Sequence, residues 1–243
     1  MLVKSKVKYI QSLGQKKFRD EAGVFIAEGP KIVRELLETD PSVVKEVYGV
    51  KEWINENRKL LAQTENVEIS EADLEKISHL KTPNKVLAVV HQFSTGVIDV
   101  KDSITLALCD IKDPGNLGTI IRIADWFGVV QIICSEDSAD VYNPKVIQST
   151  MGSIARVKVF YTDIRRWLSD QKDIWIYATV LDGEDVTQMK KIKQGIILIG
   201  NESKGISPEI LQLANDRITI PNKGKAESLN AAVATGIILS HLT

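Results

Sequence analysis

From residue 104 onward the chain repeats one pattern: a short segment apolar on consecutive positions, then a helical or turn-like stretch. The apolar segments are Ile104 to Cys109, Val129 to Cys134, Val157 to Phe160, Ile174 to Thr179, Ile196 to Ile199 and Arg217 to Ile220. A strand with one face in water alternates apolar and polar residues, whereas a strand covered on both faces need not. The pattern therefore predicts an α/β fold, a parallel sheet with helices on both sides. The chain ends on Ser228 to Leu242, where Ser228 is placed to cap a helix apolar nearly all round (Leu229, Val233, Ile237, Ile238, Leu239). Such a helix belongs in a core or a subunit interface.

The first 92 residues alternate more weakly, with β-like runs at Val24 to Ala27, Val43 to Val47 and Val86 to Val90, and helices from Pro30 and near Trp53. They read as a smaller α/β domain. Ahead of them Val3, Val7 and Ile10 form the apolar stripe of a helix. Residues 93–101 break the periodicity around Gly96 and are the expected linker, which gives domains at 1–92 and 102–243. At 44% hydrophobic and 26% charged over 243 residues, disorder and collagen-like structure are excluded. No apolar run approaches the roughly 20 residues of a membrane-spanning helix, and Met1-Leu-Val-Lys leads into no signal core, so a cytoplasmic protein is expected. Cys109 and Cys134 sit in apolar runs without a C-x-x-C, as buried reduced thiols would.

In an open parallel sheet, ligands collect beyond the carboxyl ends of the strands. After the run ending at Cys109 comes Asp110-Ile-Lys-Asp113-Pro114-Gly115-Asn116-Leu-Gly118-Thr-Ile-Ile-Arg122, in which Asn116 is suited to cap a helix and Gly118 and Arg122 share a face. After Ile199 comes Gly200-Asn201-Glu202-Ser203-Lys204-Gly205-Ile206-Ser207-Pro208. It mimics a phosphate loop but has Ile206 where the lysine belongs and a carboxylate at Glu202, which suits a neutral or cationic ligand better. After Ile220 come Pro221, a loop with Gly224, and Ser228-Leu229-Asn230 at a helix start, where orphan N–H groups can face a ligand. Each segment alone can also be read as an ordinary turn or capped helix. His79, His91 and His241 have no metal-ligand spacing, so no metal is expected. The chain has no G-x-G-x-x-G and no G-x-S-x-G.

Asp113-Pro-x-Asn116-x-Gly118-x-x-x-Arg122, Gly200-x-Glu202-x-x-Gly205, Ile220-Pro221 and Ser228-Leu229-Asn230 together resemble the three ordered motifs of the SpoU (TrmH-like) RNA 2′-O-ribose methyltransferases of the SPOUT superfamily. Tyr9-Ile-x-Ser-Leu, Lys17-x-Arg19 and Phe25-Ile-Ala-Glu28-Gly29-x-Lys31 resemble that family's N-terminal substrate-binding domain. Asn143-Pro-Lys145 to Ser149-Thr-Met-Gly152-Ser153 resembles the segment after its second strand. The resemblance implies a C-terminal trefoil-knot methyltransferase domain, a smaller ribosomal-protein-like N-terminal domain, a homodimer through the C-terminal domain, S-adenosyl-L-methionine as cofactor, and rRNA or tRNA as partner. It implies a catalytic set of Asn116, Arg122, Glu202, Ser228 and Asn230. It places the cofactor among Thr179, Gly200, Asn201, Glu202, Gly205, Ile220, Pro221, Ser228, Leu229 and Asn230. Departures from the pattern are mild: Lys223 and Lys225 lie in the loop before Ser228, and Ala231-Ala232 follow Asn230.

A guanidinium stays protonated in proteins, so Arg122 is expected to hold a phosphate and stabilise a developing alkoxide instead of acting as a base. A binding protein or ribosome-assembly factor of the same fold without catalysis is the alternative. Formal net charge is −1, which excludes a uniformly basic coat. It averages two unlike regions, because residues 1–19 hold Lys4, Lys6, Lys8, Lys16, Lys17 and Arg19 without an acid, +6 against −7 elsewhere. The expected RNA contacts are Lys4, Lys8, Lys16, Lys17, Arg19, Lys31 and Arg122, and removing residues 1–19 is expected to flatten the salt dependence of RNA binding.

Overall fold

The structure is a computed structural model and describes residues 2–94 and 96–243; Met1 and Thr95, the latter within the expected linker, lie outside the described residues. In chain order the first elements are α1 (Lys4–Ser12), α2 (Lys16–Ala22), β1 (Val24–Glu28), α3 (Pro30–Thr39), β2 (Val44–Gly49), α4 (Lys51–Glu56), β3 (Glu65–Glu68), α5 (Glu71–Ile77) and β4 (Val86–His91). They are followed by β5 (Ile104–Leu108), α6 (Pro114–Trp126), β6 (Gln131–Ser135), α7 (Pro144–Thr150), β7 (Lys158–Thr162) and α8 (Ile164–Ser169). The last are β8 (Ile176–Asp185), β9 (Gly195–Ile199), α9 (Pro208–Leu211), β10 (Asp216–Thr219) and α10 (Ala231–Leu242). The chain forms two compact units, Met1–Ser94 with Asp140–Ala155, and Thr95–Ala139 with Arg156–Thr243.

The first unit holds a four-stranded sheet in the order β1-β4-β2-β3, with β4 antiparallel to β1 and β2, and β3 parallel to β2. Strand β3 (Glu-Asn-Val-Glu) has no apolar run to announce it, because it is an edge strand that buries no residue fully. The basic leader is also a core element on its apolar side. Ile10 and Leu13 are fully buried in the core with Val24, Ile26, Leu87 and Val89, so α1 packs as part of the domain. Removing residues 1–19 would open this core, and that deletion cannot isolate an RNA contact.

Arg19 corrects the expected RNA surface. Its side chain is 2% exposed and ion-paired with Asp140, and its guanidinium donates to the carbonyls of Leu13 and Gly14, each at 2.9 Å. A buried arginine engaged on three acceptors is a structural clasp, and no RNA phosphate can reach it. Lys16 and Lys17 lie within reach of Asp20 and Glu21 one helical turn on, exposed pairs of small energetic weight. Lys4, Lys8 and Lys31 are exposed and make no ion pair among the described residues.

Asp140 belongs to the segment that enters this unit from between β6 and β7. In the same segment the Tyr142 ring stacks on Phe25 with centroids 4.9 Å apart, and its hydroxyl accepts from the Phe93 N–H at 2.9 Å. Glu28, from the resembled N-terminal motif, is buried and accepts from the Ser78 hydroxyl and from the His79 N–H, which ties residues 78–79 to the end of β1. Burial alone would raise the Glu46 carboxyl, but the Tyr48 hydroxyl and the Lys6 ammonium bonded to it hold it below the ordinary range.

The second unit holds the parallel sheet read from the sequence, in the order β10-β8-β9-β5-β6-β7, with every pairing parallel. From β5 the chain runs outward through β6 and β7, then returns to build the other half, so β5 and β9 meet where the winding reverses. In such sheets a crevice opens beyond the strand ends at that point. Cys109 and Cys134 are free and buried in this unit, and burial pushes the Cys109 thiol up to about 12, so both stay protonated and inert.

Candidate active site

The site grows from the carboxyl ends of β5 and β9. The Cys109 N–H donates to the Ile199 carbonyl at 2.8 Å, which carries the pairing one residue past the strands, and the Asn201 side-chain amide donates to the Asp110 carbonyl at 2.9 Å. Beyond Gly200 the chain doubles back on itself. Asn201 and Gly205 exchange backbone hydrogen bonds at 2.9 and 3.2 Å, and Gly205 takes φ +67°, a conformation that glycine adopts without strain. A Cβ on Gly200 would lie 2.7 Å from the Gly205 carbonyl carbon, so a side chain there cannot coexist with the turn.

On the neighbouring loop, the helix start differs from the sequence reading. Asp113 is the N-cap of α6, accepting from the Asn116 N–H at 2.8 Å, and Pro114 occupies the first helical position. Proline needs no amide partner there, and its fixed φ suits a helix start. Asn116 is thereby released from capping. Its amide N–H donates to the Glu202 carboxylate, and its carbonyl accepts from Asn230 at 2.8 Å. Asn230, not Ser228, caps α10, accepting from the N–H groups of Ala232 and Val233 at 3.0 and 3.3 Å. Each amide can lie only one way: a carboxylate accepts and never donates, so Asn116 must present nitrogen to Glu202 and oxygen to Asn230. Residues 86 and 114 positions apart are thus joined into one chain, Glu202 to Asn116 to Asn230. The acid expected to hold a neutral or cationic ligand is thus itself held by Asn116.

Beside this chain lies a cavity of about 530 Å³, within the usual range for a small-molecule site. Thr179, Gly200, Asn201, Glu202, Gly205, Ile220, Pro221, Ser228 and Leu229 all line it, so the structure gathers nearly every residue expected at the cofactor. The Thr179 hydroxyl is committed to the Leu198 carbonyl at 2.8 Å. Asn116, half-buried, and Asn230, exposed, do not line it, but Glu202, to which Asn116 is bonded, does. Arg122 does not line it: it is exposed on α6, and its side chain makes no hydrogen bond or ion pair among the described residues.

The sequence reading missed the apolar wall formed by Val180, Leu181, Ile206, Leu211, Ile218 and Ile238. Val180 and Leu181 belong to a stretch of β8 that leaves register with β10: Arg217 pairs with Ala178 but Ile218 pairs with Glu184. Gly183 permits the detour, since a Cβ there would lie 2.7 Å from the Arg217 carbonyl oxygen. The Thr-Val-Leu-Asp-Gly run at 179–183 was the available signal, an apolar strand ending in a turn-like Asp-Gly.

A doubly wound parallel sheet with a cavity walled by β8 and by the segments that follow β9 and β10 is the architecture of a protein that holds a small molecule at its strand ends. Residues 103–240 match the SpoU rRNA Methylase family, and residues 4–88 match an MRM3-like substrate binding domain. The chain belongs to the SpoU rRNA methylase family. It is 30% identical over 240 residues, 98% of this chain and 95% of the relative, to the 23S rRNA (guanosine(2553)-2′-O)-methyltransferase RlmP of Bacillus subtilis (strain 168). Among solved structures, a putative RNA methyltransferase of the TrmH family from Porphyromonas gingivalis superposes with TM-score 0.86 at 34% identity, covering 99% of this chain and 98% of that one. An AdoMet-bound rRNA methyltransferase from Sinorhizobium meliloti superposes with TM-score 0.87 at 31% identity, covering 99% and 95%.

Proposed function

We propose that the chain transfers a methyl group from S-adenosylmethionine to a ribose 2′-hydroxyl of ribosomal RNA, with 23S rRNA as the substrate. The observation that carries this is the Glu202–Asn116–Asn230 chain, which joins all three motifs at one cavity mouth. Relatives from Bacillus subtilis and Streptomyces viridochromogenes, each 30% identical, are both named as 23S rRNA 2′-O-methyltransferases. A cytoplasmic location goes with this reading, since the relatives named for 23S rRNA are bacterial; among the described residues no helix is long and apolar enough to cross a membrane.

The cavity lining fits the cofactor. Its apolar wall suits an adenine ring, while the carboxylates of Glu202 and Glu227 complement a sulfonium and an amine. When bound, the cofactor supplies an electrophilic methyl on that sulfonium. The work left to the chain is to hold the ribose, exclude water and accommodate charge on the 2′-oxygen. Asn116 and Asn230, fixed by their mutual hydrogen bond, orient the nucleotide relative to the cavity, and orientation alone can supply about 7–11 kcal/mol in favourable cases. Arg122 holds the adjacent phosphate and stabilises the developing alkoxide, with the proton passing to phosphate or water. Arg122→Ala is expected to lower kcat at saturating RNA by about 10²-fold or more, the scale of losing one charge-stabilising donor, and Arg122→Lys to recover little of it. Near-complete recovery by lysine would refute a need for the planar guanidinium.

The catalytic unit works as a homodimer in this reading. Trp126, 84% exposed on α6, and Val233, 51% exposed on α10, leave apolar surface open on two helices that pack together. Light scattering is expected to give twice the 27.0 kDa chain mass for the native protein and one chain mass for Trp126→Glu. The trefoil-knotted passage belongs to the same reading, supported by the return of residues 220–242 from the sheet edge at β10 to pack α10 against α6. The first unit contacts RNA through Lys4, Lys8 and Lys31, the expected lysines that remain exposed and make no ion pair among the described residues.

A further inference from the structure

Two lysines that no part of the cofactor reading uses stand on the rim of the cavity. Lys204 comes from the loop after β9, Lys223 from the loop before α10, and both line the cavity while remaining exposed. Neither makes an ion pair among the described residues.

The backbone beneath each is braced in the same way. Asn201 accepts from the N–H groups of Ser203 and Lys204 at 2.9 and 3.0 Å, which holds Lys204 at the tip of the turn closed by Gly205. Asn222 accepts from the Gly224 N–H at 2.7 Å and donates to the Ala226 carbonyl at 2.8 Å, which holds Lys223 within the second turn. Asparagine commonly closes such turns on itself. The consequence is that two cations on independently fixed turns flank one opening.

The acids at this opening do not neutralise them. Of the two that line the cavity, Glu202 is bonded to Asn116, and Glu227 is a single carboxylate opposed by Lys204, Lys223 and the exposed Lys225. Three ammonium groups against one uncommitted carboxylate leave the opening with excess positive charge, while Glu202, the half-buried acid, is bonded to Asn116.

We propose that Lys204 and Lys223 form a phosphodiester clamp that grips the RNA backbone beside the target nucleotide and positions its ribose over the cavity. This rests on the methyltransferase reading and adds a substrate contact to it. Lysine binds phosphate as a compact point charge and reads no base, so the clamp sets position and affinity, not sequence choice.

The test compares the native protein with Lys204→Gln/Lys223→Gln and with Lys204→Arg/Lys223→Arg. Filter binding to protein-free 23S rRNA is measured across a potassium chloride series, and S-adenosylmethionine affinity by calorimetry. Losing two phosphate contacts is expected to reduce the slope of log K against log salt by about 1.4–1.8 in the glutamine variant, with KM for RNA raised. The arginine variant is expected to keep the native slope. Unchanged cofactor affinity confirms that the glutamine variant is folded. An unchanged salt slope overturns the clamp, and a cofactor affinity reduced with the slope intact overturns it too, by assigning the lysines to the cofactor carboxylate. Absence of cofactor binding by the native protein would instead defeat the methyltransferase reading.

Discussion

Arg19→Ala is expected to cost the first unit about 3–5 kcal/mol, the scale measured for breaking a buried ion pair from one side. The substitution strands the Asp140 carboxylate and removes the donor from two carbonyls, those of Leu13 and Gly14, that cap the turn between α1 and α2. The guanidinium is 2% exposed, so water cannot take over its contacts. Against a typical domain stability of about 5–15 kcal/mol this is a large fraction, and a melting temperature lower by about 10–20 °C is the expected readout. Arg19→Lys should recover only part, because an ammonium cannot spread its donors over the same three acceptors. A melting temperature within about 2 °C of native for Arg19→Ala would show that the clasp carries no weight.

Asn116→Ala is expected to remove activity while leaving the fold in place. It deletes a hydrogen bond to a carboxylate and one to a neighbouring amide, together about 2–4 kcal/mol. If that orientation is realised in the transition state, kcat/KM falls by roughly 30- to 900-fold at 1.36 kcal/mol per factor of ten. Helix α6 does not depend on this side chain, since Asp113 and Pro114 start it. Melting temperature should therefore stay close to native. Asn116→Asp is the sharper variant: it is nearly isosteric, but it sets a second carboxylate against Glu202 and cannot donate. It should be at least as inactive as alanine, and native-like turnover by either variant would remove the three-residue chain from the mechanism.

The strands of the second unit were legible because burial on both faces writes itself as consecutive apolar residues, and each of those runs became one strand of the parallel sheet. Strand β3 was illegible for the converse reason, since an edge strand of Glu-Asn-Val-Glu has nothing apolar to repeat. The helix starts were readable to within three residues and no better. Asp113 and Asn116 are both good caps, and the deciding signal was Pro114, which favours the first helical position and so marks its predecessor. Ser228 and Asn230 posed the same ambiguity without a proline to resolve it.

Long-range partners account for the rest. The burial of Arg19 depends on Asp140, 121 positions away, and a run of basic residues reads locally as a solvated face. The membership of Asp140–Ala155 in the first unit is likewise invisible to a contiguous division at residues 93–101, because it rests on long-range contacts such as Tyr142 on Phe25 and Asp140 on Arg19. Glu202, Asn116 and Asn230 could be gathered from sequence only through resemblance to the SpoU motifs. Spacing alone left each as an ordinary turn or cap.

The most direct test of the account is the position of the transferred methyl group. Protein-free 23S rRNA is incubated with the purified protein and S-adenosylmethionine labelled in the methyl group, and the product is digested to nucleosides. The account predicts label on the ribose of a single nucleoside, absent when Asn116→Ala replaces the native protein. Label on a base, or cofactor binding without transfer to any RNA, would contradict it.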